Sequence, residues 1–277
     1  MEAIEYLFLF LAGLVGGFMA GLLGIGGGIV YILILPFALE RIGVPQIEIV
    51  QYVISNSIFG TLFASLSGNI AEIKNKRFYR NEILVVGLLG AISALFVLNF
   101  IVHTSWYSKE IFNGVVIMAM IYIFINLISN SNPKNRFIRE IPFSKRRLSL
   151  AGVSGGIISA LSGLGGGTVI VPVLNSAMKM NIKKAKAISL GVIFFSSSFM
   201  TLFNLLEKPL LKLEAFHFGF IVFPIVAPLS IGVVIASPIG VKISRRFPSY
   251  IISYIFSIFV LIVIIGKSLS LYKALVH

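Results

Sequence analysis

There is no cysteine in the 277 residues. Disulfide frameworks, thiolate metal sites and cysteine nucleophiles are therefore excluded. Aspartate is missing too: all ten acidic residues are glutamates, at positions 2, 5, 40, 48, 72, 82, 110, 140, 207 and 214. Each falls in a loop or near the end of a hydrophobic run, and no Lys or Arg sits at the middle of one. Intramembrane ion pairs and carboxylate relays of the kind many pumps use are thus not expected. The three histidines, His103, His217 and His277, are far apart, so neither a metal nor another cofactor is called for. With no Cys, no Asp and no His or Glu in mid-run, an intramembrane enzyme has almost nothing to work with. Charge itself is scarce: 12% of residues are charged, against about 25% in soluble domains. No G-x-x-x-x-G-K-[ST] nucleotide motif occurs, which excludes direct energisation by ATP in this chain.

What is abundant is apolar sequence, at 57% of residues. Hydrophobic segments fall at 4–38, 49–70, 82–102, 111–128, 149–177, 186–206, 216–236 and 250–270. About 20 apolar residues span a bilayer as helix, and hydrocarbon tolerates only helices or closed barrels. The runs do not alternate as barrel strands do, so an all-α integral membrane protein is expected, multi-pass and in the cell membrane. Glu2 and Glu5 precede the first run where a leader would carry positive charge, so no removable signal peptide is expected. The net charge of +13 comes from basic residues in short flanking loops, and no nucleic-acid partner is expected.

The first and fifth segments are alike. Gly13, Gly16, Gly17, Gly24, Gly26, Gly27 and Gly28 recur 139 residues later as Gly152, Gly155, Gly156, Gly163, Gly165, Gly166 and Gly167. The chain is thereby divided into a first membrane repeat at 1–130, a basic cytoplasmic linker at 131–148 and a second repeat at 149–277. Paired glycine-interrupted segments in the two halves of a transporter point to its binding site. Three consecutive glycines favour neither helix continuation nor a defined turn hand, so each segment should break there.

Basic residues decide between a crossing and a hairpin. If both broken segments turn back, the loops at 71–81, 129–149, 178–186 and 237–249 share one side and carry 17 of the 23 Lys and Arg, leaving six opposite. If both cross, the division is 14 against nine. The positive-inside rule prefers the hairpins and puts those four loops in the cytoplasm. Each repeat is then a re-entrant broken-helix hairpin plus three transmembrane helices, and the second enters the membrane inverted. Eight simple crossings in parallel repeats are the alternative.

Glycine runs of the form G-x-x-G-G then G-x-G-G-G, followed by Pro36 in one half and Pro172 in the other, resemble the TauE/SafE sulfite exporter family over essentially the whole chain. Ser65-Leu-Ser-Gly68 running into Lys74-Asn-Lys-Arg77 resembles it as well. Two features depart from the pattern: Pro36 lies eight residues after Gly28 but Pro172 five after Gly167, and the second copy lacks the Ser-Gly ending. The resemblance implies a transporter of sulfite, thiosulfate, sulfonates or related sulfur-containing anions.

The residues themselves argue for an anion. Half-helices starting after Gly26, Gly27 and Gly28 and after Gly165, Gly166 and Gly167 would offer unpaired N–H groups and a positive dipole end near the midplane. Close helix packing is the competing use of these glycines. Polar groups in the second span of each repeat come next: Gln51, Ser55, Asn56, Ser57 and Thr61 in the first, Ser189, Ser196, Ser197, Ser198, Thr201 and Asn204 in the second. Of these, Asn56, Ser57, Ser196 and Ser197 are the candidate substrate contacts, against interhelical bonding or back-bonding to their own helices. The partners implied are a small anionic substrate and the lipid bilayer, with a homodimer as a compatible assembly. The expected function is a secondary transporter or facilitator; a non-transporting membrane scaffold is the alternative from another class.

Overall fold

The computed structural model describes the chain except residues 1, 77, 105, 131–144, 211–212 and 277. The described residues form α1 (Ala3–Leu23), α2 (Gly28–Arg41), α3 (Ile49–Ile73), α4 (Arg80–Val97, prolonged by a π-helical turn at Leu98–Val102), α5 (Lys109–Asn130), α6 (Lys145–Ser162), α7 (Gly167–Ala177), α8 (Ile182–Leu206), α9 (Phe223–Arg246) and α10 (Ser249–Val276). A two-stranded antiparallel turn, β1 (His217–Phe218) and β2 (Ile221–Val222), joins α8 to α9, so the seventh apolar segment starts as strand and turns helical only at Phe223. Among the described residues seven helices are long and apolar enough to cross a membrane: α1, α3, α4 with its π turn, α5, α8, α9 and α10. The protein is an all-helical, multi-pass integral membrane protein. Residues 131–144 of the expected linker lie outside the described residues, and α6 already begins at Lys145.

Both glycine-rich segments break. The backbone turns left-handed at Gly24, Gly26 and Gly27, with φ of 76°, 81° and 80°, and at Gly163 and Gly165, with φ of 66° and 68°. An L side chain rarely adopts these angles, which is why helix stops and restarts here. At the far end of the first hairpin, Arg41 Nη1 lies 2.5 Å from Glu5 Oε1 and ties the end of α2 to the start of α1. The tip of the first hairpin, at Gly24, sits beside Lys186, in the second turn of α8.

Other glycines of the same two segments have another task. Gly13, Gly17 and Gly21, one turn apart, lay the backbone of α1 on that of α9 at Leu229, Val233 and Ser237. Gly152 and Gly156 do the same for α6 against Val86 and Gly90 of α4. A Cβ at Gly17 would stand 2.6 Å from Val233 O, and one at Gly152 2.5 Å from Val86 O. Without a hydrophobic drive between helices in lipid, such backbone approach supplies the van der Waals contact that holds them. Each hairpin therefore packs on a helix of the opposite half.

Helices α3 and α8 form the buried centre. Moving along α3 through Thr61, Asn69 and Glu72 meets Ile193, Leu190 and Lys186 in turn, so the two run antiparallel. The start of α5 likewise meets the end of α10, where Asn113 Nδ2 donates to Ser270 Oγ at 3.3 Å.

Candidate functional site at the paired glycine breaks

The two breaks meet at the middle of the molecule. Thr61 is the central residue of α3, and its Cγ2 would lie 2.5 Å from a Cβ at Gly26 and 2.5 Å from one at Gly165. A Cβ at Gly28 would stand 2.6 Å from Leu164 O, and one at Gly167 2.5 Å from Gly24 O. All residues from Gly24 to Gly28 and from Gly163 to Thr168 are buried. Of the eight glycines in these stretches five have positive φ, Gly24, Gly26, Gly27, Gly163 and Gly165, and at Gly28, Gly166 and Gly167 a side chain would meet backbone.

A reciprocal pair of hydrogen bonds fixes the crossing. Ser57 Oγ on α3 donates to Gly163 O at 2.6 Å, and Ser189 Oγ on α8 donates to Gly24 O at 2.8 Å. Each serine thus satisfies a carbonyl at the end of the opposite half's broken helix, one of the acceptors a helix C-terminus leaves open. The N–H groups of Gly26 and Gly27, and of Gly165 and Gly166, find no acceptor among the described residues. Three buried hydroxyls nearby are also without a hydrogen-bond partner among the described residues: Tyr31 on α2, Thr61 on α3 and Thr168 on α7. The Tyr31 hydroxyl would lie 2.6 Å from a Cβ at Gly27, and Thr61 Oγ1 3.4 Å from one at Gly165. An unmatched hydroxyl in an apolar interior costs about 1–3 kcal/mol, so such groups mark a place where a polar guest completes the bonding.

The other residues predicted from sequence are occupied differently. Asn56 is fully engaged: its Nδ2 donates to Tyr52 O at 2.7 Å and Phe220 O at 2.8 Å, and its Oδ1 accepts from Val222 N at 2.9 Å. It anchors the turn before α9 to α3. Ser196 and Ser197 both back-bond to Ile193 O on their own helix, at 3.3 and 2.6 Å. Trp106 is exposed, but its neighbour Tyr107 is buried and donates to Leu161 O at 2.6 Å, so of the two only the tryptophan is free to act as an interfacial aromatic.

One cluster corrects the expectation that charge stays out of the interior. Lys186 and Glu72 are buried, with Lys186 Nζ 3.2 Å from Glu72 Oε1 and Arg245 Nη2 3.6 Å from Glu72 Oε2. Lys186 also donates to Gly21 O at 3.2 Å and to Ser244 Oγ. This ion-paired cluster joins the tip of α1 to α3, α8 and α9. In the structure α3 and α8 have 25 residues each and extend past the apolar runs at 49–70 and 186–206, so each carries a charged turn at this end. At the opposite end of the same helices amides and an imidazole surround one buried carboxylate: Gln51 Nε2 donates to Val102 O at 2.9 Å, His103 Nε2 lies 3.0 Å from Asn204 Oδ1, and Glu48 Oε1 accepts from Leu210 N at 2.9 Å. Burial pushes the His103 imidazole below its usual range, against the opposing pull of Glu207, Asn204 and Glu48. Among the described residues no group of His, Cys, Asp and Glu is arranged to hold a metal.

Fold and site define an integral membrane protein whose centre is two facing helix breaks. Residues 9–266 match the family described as Sulfite exporter TauE/SafE, and the chain belongs to it, and so to a family of membrane transporters. It is 29% identical over 247 residues to "Probable membrane transporter protein MJ0441" of Methanocaldococcus jannaschii, covering 86% of both chains. A "Probable membrane transporter protein" of Haemophilus influenzae is 25% identical, over 94% of this chain and 97% of its own. "Probable membrane transporter protein YunE" of Bacillus subtilis is 26% identical, over 70% and 76%. No solved structure matches.

Proposed function

We propose that this protein is a secondary transporter or facilitator of a small anion, a sulfur-containing oxyanion or organosulfonate, which it moves by alternating access around the paired glycine breaks. The observation that carries the reading is the meeting of both breaks at Thr61 with buried N–H and hydroxyl donors left unmatched. Donors without a formal charge suit a site that must release its anion, since a fixed ammonium would hold it. The family and the names of the relatives support transport, and the family description supports a sulfur oxyanion.

The reading takes the halves as inverted repeats with re-entrant hairpins. Three features support it: the Glu5–Arg41 pair closing the first hairpin, the antiparallel contacts of α3 with α8 and of α5 with α10, and the reciprocal Ser57 and Ser189 bonds. In this scheme the Glu72 cluster closes the cytoplasmic end and the Asn56 and His103 network the other. The absence of cysteine makes topology easy to check. Single cysteines at Asn181 and Ser249 should react with an impermeant thiol reagent only from the cytoplasm, and one at Lys208 only from outside.

Flux of labelled sulfite, thiosulfate and a short sulfonate into proteoliposomes is the primary test. Leucine at Gly27 or Gly166 would meet backbone, so lost flux in those variants could be lost folding. Thr61→Val and Tyr31→Phe remove one oxygen each with little change of shape. Saturable flux in the wild type, reduced about tenfold or more in these variants with unfolding temperature held or raised, is the expected result. Flux of none of the three anions, with or without ion gradients, overturns the substrate class and favours a scaffold.

A further inference from the structure

A second basic site lies away from the breaks. Between α2, α5 and α10, at the end opposite the basic loops, is a cavity of about 570 Å³ lined by Lys267, Lys109, Glu40 and Ser270 and by apolar residues that include Leu33 and Phe37. Lys267 is only 4% exposed. Its Nζ stands over the Phe112 ring, 4.6 Å from the centroid, and no carboxylate lies within ion-pair distance among the described residues. Glu40, the only acid in the lining among the described residues, is already taken: Lys109 Nζ is 3.2 Å from its Oε1 and Gln46 Nε2 donates to the same oxygen at 3.0 Å.

An ammonium withdrawn from water needs a counter-charge, and an aromatic face replaces only part of the lost hydration. Lysine can reach water by snorkelling when its head lies near an interface, but this one is covered and opens onto the cavity instead. The lining thus has two cations and a single carboxylate, with an apolar wall beside them. We propose that this cavity binds an amphiphilic anion, a phosphate, sulfonate or carboxylate head on an apolar tail, with the head on Lys267 and the tail along Leu33 and Phe37. Phe37 is 71% exposed and Leu269, also in the lining, 59%, so the cavity is open on the apolar flank of the molecule. The inference stands apart from the reading of the glycine breaks, because none of these residues touches them.

Such an anion has two sources, the bilayer and the aqueous phase, and one series of measurements separates them. The full-length protein in neutral detergent is unfolded by heat with phosphatidylglycerol or octanesulfonate, and with phosphatidylcholine or octanol as uncharged-head controls. The anions should raise the transition by several degrees and the controls should not. Lys267→Met should abolish the rise, and without ligand should unfold at or above the wild-type temperature because an unpaired buried charge is gone; Lys267→Arg should keep the rise. Phosphatidylglycerol retained in native mass spectrometry and lost in Lys267→Met names the bilayer as source, whereas a response to octanesulfonate alone names a soluble anion. No anion-specific rise in the wild type, or an equal rise in Lys267→Met, overturns the proposal.

Discussion

The two ends of the α3 and α8 pair do the same job with different chemistry. On either side of the centre a serine from one half holds the broken helix of the other, Ser189 on Gly24 O and Ser57 on Gly163 O. Counting back three residues from each serine gives Lys186 at one end and Ile54 at the other. With Glu72 and Arg245, Lys186 makes an ion-paired closure, and opposite it stands a closure of amides, a histidine and backbone carbonyls beside the buried Glu48. A duplicated scaffold fixes where the chain closes, while side chains at equivalent positions decide what the closure responds to. Charges separated from water react to the loss of either partner, whereas neutral bonds fail singly.

The largest effect is expected where that contrast is broken by charge. Glu72→Gln leaves Lys186 buried without a full counter-charge, and removing one partner of a buried pair costs about 3–5 kcal/mol. Lys186→Met should cost a similar amount. The double variant should unfold closer to the wild type than the two single losses added together, because no charge is then left stranded. Thermal unfolding of the four proteins in one detergent measures the cycle. Additive losses would show that the pair is not an energetic unit and would remove the distinction between the ends.

Asn56 is the corresponding test of the other end. Asn56→Leu leaves Phe220 O and Val222 N–H without their side-chain partner, a loss of about 1–3 kcal/mol, smaller than the charged case. The change should also loosen the turn at β1 and β2, read as faster hydrogen exchange at Phe220 and Val222 than elsewhere in the chain. A uniform increase across the chain would assign Asn56 to general packing instead of to this closure.

The glycine register, the break after it and the membrane class were legible because each rests on local backbone chemistry or on hydrophobic length. The division of labour among the glycines was not. Gly13 and Gly17 face a helix more than 200 residues away in sequence, and nothing local separates them from Gly26 and Gly27. Charge counting by loops placed Glu72 and Lys186 correctly at helix ends but could not show that those ends fold inward on each other. Tyr31 was hidden among 33 phenylalanines and tyrosines, and only its burial beside Gly27 without a partner singles it out. Asn56 carried a real signal, an amide in hydrocarbon that needs partners, and three backbone groups supply them.

The smallest effect concerns pH, and it separates the ends by sign. Burial holds the His103 imidazole below its ordinary pKa of 6.5, so the folded protein resists taking up a proton that the unfolded chain accepts. A group with a depressed folded pKa that charges on protonation makes the unfolded state the better proton binder at acid pH. Stability therefore falls as pH drops through the ordinary value of 6.5, with a slope below about 1.4 kcal/mol per pH unit for one proton. Nε2 faces Asn204 Oδ1 at 3.0 Å, an arrangement that puts the ring proton on Nε2 in the neutral form. Glutamine at this position keeps a donor to Asn204 and does not titrate. His103→Gln should thus unfold at nearly the wild-type temperature at about pH 7.5 and lose less on acidification to about pH 5. An acid slope unchanged in His103→Gln would move the pH response away from this imidazole and its contact with Asn204.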